Sequence, residues 1–348
     1  MALDVFPGRI NHWPLASLNG ELLNKEPLSC DSLWLGDEQA QTVWVFISGT
    51  HGVEGYCGSA AQRFLLDQLV QQNTVLPESC ALLFIHALNP WGMQWARRCD
   101  QQGIDINRNF IDFAQLPAAD PDYDKVLQCL QLNDAHQRNA ALAKLRDAWG
   151  QSHFDRVFSG GQYQHAWAPF YGGQEAGFSQ QIIDQMIHIY DLQGKQLNVI
   201  DIHSGLGPWA YGQLISDHPA GSESNVWAKQ LFSDWVAVTA SGESFSVPKA
   251  GLLDYHWHRL MTQEKSFFVT LEFGTLGSES LFSVLLDEHL YWKDCINVDT
   301  NTNDEKDPAY QLQRQAMLNH FCPDNQQWQQ AVLFQTWQVL ARLISAYE

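Results

Sequence analysis

The sequence has no long apolar run. None of its stretches approaches the roughly 18 apolar residues that a membrane-spanning helix needs, so no transmembrane helix is expected. The N-terminus, M-A-L-D-V-F-P-G-R-I-N-H-W-P, has neither a basic opening nor a sustained apolar segment, so it does not read as a secretory signal. Basic residues are scarce. Twenty Lys and Arg face 39 Asp and Glu, a formal charge of −19. Nucleic acid and anionic membranes attract proteins through Lys and Arg patches that displace counterions, and neither is expected as a partner. Seven cysteines, at 30, 57, 80, 99, 129, 295 and 322, make an odd number without any Cys-x-x-Cys. That pattern excludes a disulfide framework and a thiolate zinc site. Reduced thiols in a cytoplasmic protein are the expectation. The oligomeric state is not legible.

Hydrophobic residues make up 45% of the 348, enough for a substantial core. They fall into short runs. Thr42 to Ser48, Cys80 to Ala87, Leu197 to Ile202 and Phe267 to Phe273 read as buried strands, with Ser29 to Leu35 as a first edge strand and Trp235 to Thr239 as a short one. Helical spacing marks 59–72, 123–132, 134–149, 179–192, 223–232, 279–290 and a long C-terminal helix from about Asn325. Residues 1–27, with Pro7, Pro14 and Pro27, look irregular, and 297–308 reads as a polar spacer. Strand, helix, strand is the repeat of a parallel sheet. The expected fold is α/β: a mixed, mostly parallel central sheet flanked by helices, in a single domain over 1–348. The arm 1–40, the insertion 111–196 and the C-terminal helices 309–348 elaborate it. The Gly- and aromatic-rich stretch S-G-G-Q-Y-Q-H-A-W-A-P-F-Y-G-G, from Ser159, reads as a long loop at the rim of a cleft.

Polar residues gather where strands end. After Ile47 comes S-G-T-H-G-V-E, placing His51 and Glu54 on a glycine-rich turn. After Ile202 comes His203-Ser204-Gly205. Carboxyl ends of parallel strands meet on one side of the sheet, where ligand sites collect. An imidazole and a carboxylate three residues apart can reach one small cation. Alone, His-x-x-Glu is equally a helix-capping loop, and a lone His at a strand end is more often structural. Between these motifs lie N-P-W-G, Arg97-Arg98 and D-I-N-R-N-F, and an Arg fork suits carboxylate binding. Glu272 stands inside the apolar strand F-F-V-T-L-E-F. A carboxylate there is paired or faces a cleft, and burial raises its pKa toward that of a proton shuttle.

Taken together, H-G-V-E, N-P-W-G, R-R, D-I-N-R-N-F, D-I-H-S-G and L-E-F-G-T resemble, in order and spacing across 51–275, the motif series of the zinc carboxypeptidase family. The likeness is closest to its bacterial branch of uncharacterised predicted peptidases. The resemblance implies one zinc ion on His51, Glu54 and His203, the two-histidine, one-glutamate set of carboxypeptidase A. It implies Glu272 as general base and acid, and Arg97 or Arg98 polarising the scissile carbonyl. Asn107 and Arg108 would hold the substrate carboxylate, Asp105 would hydrogen-bond His51, and Ser204 would meet substrate through its backbone. The implied substrate is a small peptide. One departure stands out: the family's peptidases carry a mobile tyrosine upstream of the catalytic Glu, whereas here the segment reads S-G-E-S-F-S-V-P-K-A-G and Tyr255 is out of register. Relatives that cleave N-acyl amino acids, of the aspartoacylase and succinylglutamate desuccinylase type, lack that tyrosine, so such a substrate is the alternative. A zinc-binding module without turnover, and a set of purely structural turns, are the remaining readings.

Overall fold

A computed structural model describes residues 5–15, 28–296 and 307–347. Most of the spacer at 297–308, and the stretch 16–27, lie outside them. The described residues form one eight-stranded sheet. In chain order its strands are β1 (Gly8–Pro14), β2 (Ser29–Leu35), β3 (Thr42–Ser48), β4 (Cys80–His86), β5 (Gln196–Gly205), β6 (Gly212–Ser216), β7 (Val236–Val238) and β8 (Phe267–Gly274). Their spatial order is β1-β2-β4-β3-β5-β8-β6-β7. The central four, β4-β3-β5-β8, run parallel, while β1, β2 and the β6–β8 pairing are antiparallel. The expected mixed sheet is present.

Side chains alternate across each strand. Trp44, Phe46, Phe84, Ile200, Ile202 and Leu271 enter one buried cluster. Helix α1 (Gly55–Gln71) and α11 (Gln326–Tyr347) cover that face with Leu65, Leu69, Trp328, Val332 and Leu340. Val43, Val45, Ile47, Leu83, Ile85 and Val199 enter the other cluster, beneath Ile182, Ile183 and Met186 of α6 (Phe178–Ile189) and Trp257 of α8 (Leu253–His258). A third cluster joins α3 (Tyr123–Leu130), α4 (Ala135–Trp149) and α5 (Gln151–Ser159) to α9 (Ser278–Ile296) and α10 (Pro308–Phe321). The short α2 (Pro90–Gln94) and α7 (Glu223–Phe232) complete the set.

Two sequence expectations need correction, and some elements were not foreseen. Part of the stretch expected to be irregular is strand β1, whose alternating exposure suits an outermost strand; its Pro14 sits at the strand's end, where a missing N–H costs little. Ser29–Leu35 is therefore the second strand from that edge, paired on both sides. Strand β6, five residues at Gly212–Ser216 that lie antiparallel to β8, was not among the expected strands. The helices Pro90–Gln94, Gln151–Ser159 and Leu253–His258 were not expected either, and α9 runs six residues past its expected end; the other expected elements match within a few residues, and α7 matches to the residue.

Candidate metal centre and its cavity

The loop after β3 is shaped by close backbone contact. Gly49 adopts φ +72°, a left-handed conformation that glycine enters without penalty. A Cβ on Gly52 would stand 2.0 Å from the carbonyl carbon of Gly92. Only glycine admits that approach, and it lets the Gly52 and Val53 N–H groups bond the carbonyls of Arg98 (3.3 Å) and Arg97 (2.7 Å). The turn at 89–92 is fixed in the same place. Asn89 accepts from the Gly92 N–H (2.8 Å) and donates to the Arg98 carbonyl (3.2 Å). The motifs H-G-V-E, N-P-W-G and R-R thus form one knot at the sheet's carboxyl end.

Within it, ligand atoms of His51, Glu54 and His203 all lie within 4.8 Å of one another. All three side chains are buried. His51 Nδ1 meets Glu54 Oε1 at 2.7 Å, and His203 Nδ1 meets Glu54 Oε2 at 2.9 Å. The two Nε2 atoms turn outward to carboxylates: His203 to Asp201 at 2.6 Å, His51 to Asp105 at 3.3 Å. The Asp201 bond fixes the His203 ring, the usual support for a metal-ligating histidine, while Asp105 stands behind His51 at ion-pair distance without a formed hydrogen bond. Burial alone would raise the Glu54 carboxyl, but the His51 and His203 rings hold it well below the usual range. Burial would lower His203, yet Asp201 and Glu54 hold it well above the ordinary imidazole value. The cluster calls for positive charge at its centre. Two imidazole nitrogens and a carboxylate oxygen there suit a small divalent cation.

Parallel pairing of β5 with β8 sets His203 directly opposite Glu272. Glu272 accepts from the Leu206 N–H at 3.0 Å. Burial, and then the Glu54 charge, push its carboxyl up to about 7, the direction expected from its apolar strand.

The two adjacent arginines part company. Ala96 before them has φ +51°, and the backbone sends Arg97 and Arg98 to different places. Arg98 lines the cavity beside the cluster, donating to Asp105 Oδ2 at 2.9 Å and standing 3.6 Å from Glu54 Oε1. Arg97 is buried away from it, bonded to Glu288 and packed on the rings of Trp91 and Trp292.

The cavity measures about 450 Å³. His51, Glu54, Arg98, Asn107, Arg108, His203, Ser204 and Glu272 all line it. Asp105 is fully buried behind the wall, where burial would raise its carboxyl but Arg98 and Arg108 hold it low. Asn107 accepts from the Leu253 N–H at 2.8 Å. Ser204 uses its backbone N–H on Glu54 (3.0 Å) and its hydroxyl on the Phe321 carbonyl (2.6 Å), so neither donor faces a substrate. Phe170, from the expected rim loop, lines the cavity too.

Four polar residues of this region carried no weight in the sequence. Asp201 supports His203, and Thr50 donates to both its oxygens at 2.9 and 3.0 Å. A signal existed, because Asp201 and His203 are two apart on one strand and so share a face. Lys249 lines the cavity, and Glu288 neutralises Arg97. Neither has a local sequence signature, because each meets its partner only through tertiary packing.

The chain belongs to the family described as protein of unknown function DUF2817, whose model matches residues 7–335. No curated protein matches it. Among solved structures, bovine thrombin-activatable fibrinolysis inhibitor, in complex with tick carboxypeptidase inhibitor, is similar at 10% identity. That match covers 99% of this chain and 93% of the other, with a TM-score of 0.51. Carboxypeptidase A from Helicoverpa armigera is similar at 12% identity, covering 99% and 69%, TM-score 0.51. An aspartoacylase family protein from Mesorhizobium loti overlaps at 15% identity and TM-score 0.40, covering 78% of this chain; the chain spans 63% of that protein's length. The fold is that of the zinc carboxypeptidases.

Proposed function

We propose that this DUF2817 protein is a zinc-dependent hydrolase of an amide or peptide bond next to a free carboxylate. The observation that carries the reading is the buried His51–Glu54–His203 cluster, with a carboxylate behind each imidazole and Glu272 opposite. His51, Glu54 and His203 would hold the ion. A zinc ion there would supply Lewis-acid chemistry and bring the pKa of water to about 7.

The chain's own groups would do the rest. Glu272, raised to about 7, can take a proton from the attacking water and return it to the leaving nitrogen. Arg98 would donate to the substrate carbonyl oxygen as negative charge grows there, held in place by its bond to Asp105. Asn107 and Arg108 would seat the free carboxylate and fix the register of the scissile bond. Leu206, Phe170 and Phe282 in the cavity wall would limit water.

A second reading has a specific observation behind it. Among the described residues no tyrosine lines the cavity, and Tyr255 directs its hydroxyl to the Lys249 carbonyl at 3.2 Å. That favours an N-acyl amino acid as substrate over a peptide. The test is metal analysis of the purified protein, followed by a panel of peptides and N-acyl amino acids with and without added zinc. Turnover confined to one set, lost with chelator and restored by zinc, selects between the two. Stoichiometric zinc with no turnover on any member would leave a binding module and refute the proposal.

A further inference from the structure

The strap Glu243 to Gly251 crosses the cavity and carries Phe245, Ser246, Val247 and Lys249 into its wall. Lys249 is half-buried. Its ammonium donates to Ser246 Oγ and to the Val247 carbonyl (2.8 Å), both neutral acceptors. Among the described residues no carboxylate pairs with it within 4 Å, and Asp217 in the same cavity wall acts on it from farther off. Arg108 likewise makes no direct ion pair, though Asp105 and Asp217 act on it from farther off. Three of its guanidinium nitrogens meet the neutral carbonyls of Ser159 (3.2 and 2.7 Å) and Asn107 (2.5 Å), and no described carboxylate pairs with it within 4 Å. Arg108, buried, and Lys249, half-buried, therefore line one cavity, and neither has a carboxylate within 4 Å among the described residues; Asp217, Asp254 and Glu272 line the same cavity farther off. A cation that makes no direct ion pair within its own protein keeps its hydrogen-bonding capacity for an anion that enters the cavity.

The two groups are also held to each other by backbone. Ala250 N–H bonds the Gly160 carbonyl at 2.9 Å, and Phe110 N–H bonds the Gly251 carbonyl at 3.1 Å. Tyr163 donates to the Arg108 carbonyl at 2.7 Å, and Tyr255 to the Lys249 carbonyl at 3.2 Å. A Cβ on Gly251 would lie 2.1 Å from the Arg108 carbonyl oxygen, and one on Gly161 would lie 2.7 Å from Arg108 Cδ. Strap and arginine are packed as one unit, which preorganises both cations before any ligand arrives. Burial and then Arg108 lower the Lys249 ammonium to about 8, so it keeps most of its charge at neutral pH while gaining from a neighbouring anion.

We propose that Lys249 is a substrate-positioning residue that, together with Arg108, clamps the free carboxylate of the substrate. The inference rests on the reading of the cavity as a hydrolase site, and it names the strap as the part that enforces the carboxylate requirement.

The test uses Lys249→Met, which keeps the aliphatic stem, and Lys249→Arg, which keeps the charge. Zinc-loaded protein is titrated by calorimetry with 3-phenylpropanoate and with 3-phenylpropan-1-ol, which have no bond to hydrolyse. The expected result is a loss of about 10- to 100-fold in carboxylate affinity for Lys249→Met, little change for the alcohol, and substantial recovery in Lys249→Arg. On any substrate that turns over, KM should rise far more than kcat falls. Carboxylate affinity unchanged in Lys249→Met, or equal losses for carboxylate and alcohol, would overturn the proposal. Binding that depends on Lys249 in a protein without turnover would uphold the clamp and sink the hydrolase reading. Turnover with indifference to Lys249 would do the reverse.

Discussion

Replacing Asp201 by Asn probes the support of the metal centre without touching a ligand. Asp201 is 1% exposed. One oxygen lies 2.6 Å from His203 Nε2, and both accept from Thr50. The carboxylate therefore does two things. It keeps the outer imidazole nitrogen protonated, leaving the inner one with its lone pair, and it adds negative charge behind the ring. An Asn in the same place keeps the volume and removes the charge. If its NH₂ group turns to the ring, it demands the opposite tautomer, with the proton on the nitrogen that should bind metal. A hydrogen bond to a charged group contributes about 1.5–3 kcal/mol. At 1.4 kcal/mol per tenfold, the loss in zinc affinity should be about 10- to 100-fold. The measurement is competition against a chelator of known affinity, with circular dichroism on the same samples to confirm the fold. Thr50→Val should give a loss in the same direction but smaller, since it removes only the group that orients Asp201. Zinc affinity of Asp201→Asn within twofold of the parent would refute the reasoning, and with it the claim that the cluster is a metal site braced from behind.

Glu272→Gln should lower turnover by orders of magnitude while zinc stays bound, and near-parental rates would remove Glu272 from the mechanism. In the parent protein, kcat/KM should rise with pH through a limb at or below about 7, because Glu272 acts only when deprotonated and a bound cation favours the charged form; a limb well above that value would contradict the assignment. Metal-free protein should lose stability as pH rises above about 6.5. His203 is raised in the folded state, so its contribution is complete below the unfolded value and is lost as pH climbs through the folded one. Zinc competes with that proton, so the rise in Tm on adding zinc should grow with pH, and thermal melts showing a pH-independent increment would count against the site. Arg97→Met should cost about 3–5 kcal/mol of stability by stranding buried Glu288, with KM unchanged, whereas Arg98→Met should act on turnover. Denaturant titration and steady-state kinetics on the two variants separate these effects, and the opposite pattern would exchange the roles given to the two arginines.

The chain's own pattern determined a good deal. Short β-rich runs ending in Gly, His and Asn announced parallel strands with polar ends, because period-two burial and turn chemistry are local properties. His51, Glu54, His203 and Glu272 could be picked out for the same reason: each interrupts an apolar strand or follows one directly. Arg97 and Arg98 could not be told apart, since neighbours on an irregular backbone have no periodicity to say which way they point. Only the folded chain, with Glu288 on a helix 191 residues away, draws one into the interior and leaves the other in the cavity. Strand β1 was hidden because an outermost strand needs no apolar face, and β6 because five residues are too few to establish a period. Lys249 was invisible on paper, as a lysine in a loop is ordinarily solvated. Its place in the cavity wall comes from Gly251, Ala250 and Tyr255 locking the strap against Arg108, contacts that exist only once distant segments have packed.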